Sequence, residues 1–325
     1  MEVRKFFRIY KSDRPHYTLN YLVIFAAYLY ITMNKSVLSV ALVICFLTAY
    51  SQSNKKEQVI TIQTKYGNMV ALLYDETPKH KENFIKLAKS KFYDSLLFHR
   101  VMKEFMIQGG DPNSKKALPD QPLGNGGPGY TLDAEFNPKF FHERGSLAAA
   151  RLGDQMNPSK ASSGSQFYIV QGKKSTPEEL TLLEQNIQMS RKSSCLREIL
   201  LMPKYESLRA QIGEKQRAQD GQWITSFFES SDTLIRKEKP AYTPFAFSPE
   251  QKEKYTTMGG APFLDGDYTV FGKVIKGMEV VDKIAEQPRN SSDRPTEDIR
   301  MFVTVEEMSH KKIEKEYGYI FPESK

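Results

Sequence analysis

The residues best able to do chemistry lie in one stretch, Phe98-His99-Arg100-Val101-Met102-Lys103-Glu104-Phe105-Met106-Ile107-Gln108-Gly109-Gly110-Asp111. Its first half alternates as an extended strand does, which puts Phe98 and Arg100 on one side and His99 and Val101 on the other. After Lys103-Glu104 the apolar surface returns with a single amide, Gln108, and Gly109-Gly110 closes it. A guanidinium cannot shed its charge, so Arg100 among Phe, Met and Gln needs a partner or a substrate. Read alone, it is a salt-bridged arginine on the rim of a sheet.

Other chemistries find less support. Gly124-Asn125-Gly126-Gly127-Pro128-Gly129 lacks the spacing of a phosphate loop, with no strand leading in and no helix pattern after it. It reads as a loop that allows positive φ and close backbone approach. His142 stands beside Phe140-Phe141 with no nucleophile context. Ser163-Gly164-Ser165 has no closing glycine and leads into a strand, unlike a nucleophile elbow. Hydrolysis is therefore a poor reading. Cys45 and Cys195 form no metal-ligand pattern with histidine, and Cys45 sits in an apolar run, so neither a metal nor a disulfide is expected.

The formal charge of +7 over 325 residues hints at an acidic partner. Residues 1–51 supply much of it, with Arg4, Lys5, Arg8, Lys11, Arg14 and Lys35 against Glu2 and Asp13. The remainder holds 40 basic and 37 acidic residues and no basic stripe with interleaved aromatics, so nucleic acid is not an expected partner.

Phe98-His99-Arg100 followed by Phe105-Met106-Ile107-Gln108-Gly109-Gly110-Asp111 resembles the signature of the cyclophilins, peptidyl-prolyl cis/trans isomerases. Two later blocks agree in order: Gly145–Arg151 with Ser163–Ile169, and Phe263–Val274. The resemblance covers about 59–172 and 260–305, and it is to exported bacterial members with a large helical insertion. It implies a mainly β fold: a closed antiparallel cyclophilin-like β-barrel with capping helices, to which an inserted α-helical subdomain is added. It also implies roles for particular residues. Arg100 would donate to the proline nitrogen, and Gln108 would steady it. Phe105, Met106, Tyr168 and Leu264 would wall the proline pocket. Ala150, Arg151 (through its backbone) and Gln166 would line the groove for preceding residues. Such a reaction needs no cofactor.

Two positions depart from many family members, with Phe263 in place of tryptophan and Tyr268 in place of histidine. Phe263 has no indole donor, so the family's inhibitor cyclosporin is expected to bind weakly. Tyr168 stands for a phenylalanine and adds a hydroxyl at the pocket floor. The rival reading is a non-catalytic peptide-binding or chaperone module on the same barrel.

Several elements must position these residues. Val59–Thr64 and Met69–Tyr74 alternate around a turn at 65–68, and Thr77-Pro78 opens a helix to about Lys89. Residues 173–259 change to helical spacing, with a capping box at Thr176-Pro177-Glu178-Glu179, and Ser248-Pro249-Glu250-Gln251 caps a last short helix. Gly213 breaks or caps a helix there, and one further helix from about Gln222 carries Trp223 to Leu234. The isomerase portion spans 59–172 and 260–310, after a polar linker at 52–58, and 311–325 is a charged tail without a packing role. Met33-Asn34-Lys35, the apolar Val37–Leu47 and Ala49-Tyr50-Ser51 have the anatomy of a signal peptide. The expectation is export, to a periplasm, with unfolded or extracytoplasmic proline-containing polypeptides as partners. The alternative is an uncleaved N-terminal segment that holds the chain at the inner membrane.

Overall fold

The computed structural model describes residues 55–119 and 121–322. The targeting segment expected at 1–51 and residues 52–54 of the expected linker lie outside the described residues, whereas 56–58 of that linker already belong to the first strand. The chain divides into a unit of residues 58–307 and a unit formed by the two flanks, 1–57 with 308–325.

Eight strands close the larger unit's barrel in the order β1-β10-β3-β4-β8-β6-β9-β2. They are β1 (Lys56–Thr64), β2 (Gly67–Leu73), β3 (Leu96–Met102), β4 (Met106–Gly109), β6 (Ser146–Ala149), β8 (Phe167–Val170), β9 (Val270–Lys276) and β10 (Arg300–Ser309). β5 (Thr131–Leu132) and β7 (Ser162–Ser163) form a separate short pair. The expected hairpin at 65–68 is present, with Thr64 facing Gly67. The mainly β, closed antiparallel architecture with helices and a helical insertion is the one expected.

Alternating side chains fill the barrel with Ile60, Ile62, Met69, Val101, Ile107 and Leu147, capped by Phe84, Tyr93 and Phe167. Each such apolar side chain contributes roughly 2 kcal/mol through burial. Helix α1 (Pro78–Lys89) covers one end with Phe84, Leu87 and Ala88. Thr77 does not cap it as expected; its hydroxyl donates to the Tyr74 carbonyl. The free N–H groups of Lys79 and His80 donate instead to Glu135, a carboxylate brought in from a distant loop.

The insertion comprises α2 (Pro177–Leu200), α3 (Glu206–Arg217), α4 (Gly221–Ser230), α5 (Asp232–Glu238) and α6 (Pro249–Thr257). The expected capping box forms at Thr176, and the expected cap at Ser248 is a capping box as well. Two expectations are corrected. Gly213 lies within α3 and ends nothing, and the helix expected from Gln222 onward breaks at Ser231 into α4 and α5. The ends of the insertion meet: Gly260 N–H donates to the Lys173 carbonyl, and a side chain at Gly172 would overlap the Gly260 backbone. Phe141 of the barrel packs there with Leu180, Phe247 and Tyr255 of the insertion. Helix α7 (Met278–Ala285) then buries Val280, Val281, Ile284 and Ala285 on the barrel core.

In the flanking unit, α8 (His310–Tyr317) starts at a Ser309 cap and buries Ile313 completely. The tail thus has a packing role that charge alone concealed. No helix of the described residues is long and apolar enough to cross a membrane.

Candidate active site

The register of β3 on β4 sets Arg100 opposite Gln108, but the ladder shifts between Phe98 and Arg100. That bulge breaks the alternation expected of the strand. Phe98 and Val101 join the barrel core, while His99 and Arg100 both line an open cleft of about 340 Å³. The aromatic and the cation of this stretch therefore do not share a side.

A chain of amides fixes the cation. Arg100 Nη1 donates to Gln108 Oε1 at 3.3 Å, and Nη2 lies 3.1 Å from the Met102 sulfur. Gln108 Nε2 donates to Gln166 Oε1 at 3.1 Å, and Gln166 Nε2 donates to the carbonyls of Gly124 and Gly126. The 124–126 loop is tied in turn to buried Asp111, whose carboxylate accepts from Gly124 N–H at 2.6 Å and Gly126 N–H at 3.2 Å. Gly126 must be glycine, since a Cβ there would overlap the Asp111 carboxylate. The glycine-rich stretch is the expected loop, with positive φ at Gly124 and Gly129, and it lines the cleft through Gly124 and Asn125.

The facing wall is apolar. Met106, Ala150, Tyr168 and Leu264 belong to one buried cluster, with Phe105 and Tyr268 packed against it. Arg151 lines the cleft. Its guanidinium sits 4.4 Å over the Tyr268 ring and donates to the Asp267 carbonyl and to Asp154. Phe263 stands apart: it is 52 % exposed on the rim, its ring 5.3 Å from Phe105. Gln166 is buried behind Gln108 and acts on the cleft through it.

The Tyr168 hydroxyl turns away from the cleft. It meets His142 Nε2 at 2.9 Å, and His142 Nδ1 meets Asp265 Oδ1 at 2.9 Å. Burial pushes the Tyr168 phenol well up, helped by Tyr268 and Asp265. His142, Asp265 and Tyr168 are all buried, so this histidine is enclosed rather than presented to a substrate.

Several further residues line the cleft beyond those given a role by the sequence. His99 is buried without a formed hydrogen bond at either ring nitrogen. Burial lowers its pKa to about 4, against weaker upward pulls from Asp111 and the Leu97 carbonyl. Asn290, Ser292 and Arg294 reach the cleft from a loop near the C-terminus, and Asp293 of that loop pairs with Arg100. Only the fold brings residues nearly 200 positions apart together. Among the described residues, no group of three or more His, Cys, Asp or Glu could hold a metal ion.

The family model for "Cyclophilin type peptidyl-prolyl cis-trans isomerase/CLD" matches residues 59–182 and 250–305, more than half of the chain. The chain belongs to the cyclophilin-type peptidyl-prolyl cis-trans isomerases.

A candidate peptidyl-prolyl cis-trans isomerase of Staphylococcus haemolyticus is 29 % identical over 262 residues, covering 78 % of this chain and 95 % of its own length. A candidate bifunctional phosphatase and peptidyl-prolyl cis-trans isomerase of Streptococcus pyogenes is 30 % identical over 246 residues, or 74 % of this chain. The match spans only 37 % of that longer relative. A solved Cryptosporidium parvum cyclophilin-type isomerase aligns with 78 % of this chain and 98 % of its own at a TM-score of 0.45 and 20 % identity. The cyclophilin match resumes at residue 250, inside α6, so this last inserted helix falls within the family's own pattern.

Proposed function

We propose that this cyclophilin isomerises X–Pro bonds in unfolded polypeptides by stabilising the twisted amide with Arg100. The barrier to rotation is the partial double bond, about 20 kcal/mol high, and uncatalysed proline isomerisation takes tens of seconds. Twisting removes the conjugation and leaves a lone pair on the proline nitrogen. A donor aimed at that nitrogen favours the transition state over either planar isomer. A guanidinium suits the task because it keeps its proton and holds its fork rigid.

The observation that carries this reading is the pairing of a held cation with an apolar wall across one cleft. The Gln108–Gln166 relay restricts Arg100 on one side, and Met106, Tyr168 and Leu264 form the other. In this reading Phe105 and the Tyr268 ring complete the proline pocket, while Ala150 and Arg151 receive the residues before the proline and Gln166 supports them from behind Gln108. Low polarity there disfavours the charge-separated planar amide and adds to the effect of the arginine. Exchange spectroscopy of an X–Pro tetrapeptide tests the reading: catalytic amounts of the protein should broaden cis and trans signals together. Unchanged exchange would support the non-catalytic rival.

The clients are extracytoplasmic chains in this proposal. Its support is the basic, apolar and small-residue pattern of 33–51, and N-terminal sequencing of the cell-derived protein tests it. A mature terminus near Gln52 fits export with cleavage. Residues before Met33 on a membrane-bound chain would indicate an anchor.

A further inference from the structure

The insertion reaches the pocket through a buried polar chain. Asp265 directly follows the pocket residue Leu264, and its carboxylate collects four donors. Oδ1 accepts from the His142 backbone N–H and from Nδ1, both at 2.9 Å. Oδ2 accepts from the Tyr255 hydroxyl at 2.6 Å and from Gln251 Nε2 at 3.0 Å. Both Tyr255 and Gln251 belong to α6, the helix that ends the insertion. His142 thus bridges Asp265 at Nδ1 and the Tyr168 hydroxyl at Nε2.

We propose that Tyr255 and Gln251 are positioning residues for the proline pocket, acting through Asp265 and His142 on Tyr168 and Leu264. The inference rests on the isomerase reading of the cleft. Two observations make the chain more than local glue. Tyr255 and His142 are fully buried and Asp265 and Tyr168 nearly so, which leaves no water to replace a lost partner. A broken link must then be answered by movement of the next group along the chain. The chain also ends on two residues of the pocket wall. Tyr168 lines the cleft with its ring while its hydroxyl is held from behind, so the hydrogen bond sets the tilt of that ring. A second tie from the insertion, Arg191 Nη2 to the Asp265 carbonyl at 3.3 Å, holds the same segment by its backbone.

The test is a double-mutant cycle on tetrapeptide isomerisation with the full chain. Tyr255→Phe keeps the ring in its cluster with Phe141 and removes only the donor. It should lower kcat/KM about fivefold, the scale of one buried hydrogen bond. In a Tyr168→Phe background the pocket end of the chain is already cut, so adding Tyr255→Phe should cost little more. Wild-type kcat/KM in folded Tyr255→Phe, or losses that multiply in the double variant, would overturn the proposal. If Tyr255→Phe does not fold, Gln251→Glu keeps the capping box and replaces the donor with a carboxylate. It should also lower kcat/KM, and wild-type activity would again count against the chain. A wild-type protein without turnover would refute the isomerase reading instead. The chain is then read from the 15N shift of His142 Nε2, which Tyr255→Phe should move; an unmoved signal would overturn the proposal.

Discussion

Asp293 Oδ2 lies 3.6 Å from Arg100 Nε, so the cleft's guanidinium is paired along its ε edge while Gln108 and Met102 hold its η nitrogens. The Asp293 backbone is fixed as well, since its carbonyl accepts from Val101 N–H at 2.9 Å. Its φ of 61° is a conformation that Asp and Asn tolerate better than most residues. The loop after α7 therefore braces the strand and the cation at once.

Asp293→Asn keeps the backbone conformation and removes the charge. Both partners are about one-third exposed, so the pair contributes under about 1 kcal/mol to stability, and unfolding should hardly change. Turnover should fall about threefold as the ε edge loosens, a comparable energy expressed as positioning. An unchanged kcat/KM would show that the amide relay alone orients Arg100.

Phe263→Trp tests the exposed rim. The side chain leans on Phe105 outside the cleft lining, so a larger ring has room and its N–H can face solvent or ligand. Cyclosporin should bind the variant more tightly than the unmodified protein, with tetrapeptide turnover within about twofold, since surface replacements away from tight packing are mild. Tight binding by the unmodified protein would contradict the need for an indole donor.

His99 predicts an acid-sensitive fold. Its pKa falls to about 4 in the folded state, chiefly through burial, against about 6.5 when unfolded. Between these values the unfolded chain binds more protons, so this contribution is complete above about pH 6.5 and lost as pH falls toward 4. His80, whose pKa is also lowered by burial, acts in the same direction. Denaturant unfolding across that range should show a decline that His99→Phe makes shallower. An identical pH slope in the variant would rule out His99 as a source.

Much of the fold was legible because three collinear blocks carry both strand periodicity and the cleft residues. The Thr176 and Ser248 capping boxes marked helix starts reliably, since the reciprocal hydrogen bonds are local. What escaped depended on partners distant in sequence. Periodicity could not place the bulge at His99, which only the β4 register creates. Gly213 was misread because one glycine costs a helix only about 1 kcal/mol, and the helix formers on either side carry Glu206–Arg217 through it. Ile313 looked like part of a charged tail, and a single buried side chain leaves too little pattern to detect. The Tyr168 hydroxyl was visible as a change at the pocket floor, but His142 as its partner was not. Within the cleft, Arg100, Gln108 and the apolar wall stood out by type, whereas Asp293 was one exposed-looking acid among many.

Arg100→Lys tests most directly whether Arg100 acts as a fixed donor to the twisted amide. Lysine preserves the charge but loses the planar fork held by Gln108, Met102 and Asp293. Tetrapeptide kcat/KM should drop about 10²- to 10³-fold, the scale of losing a preorganised donor. The unfolding transition should stay near that of the wild type, because the side chain is partly exposed. Wild-type kcat/KM in a folded Arg100→Lys protein would contradict the account.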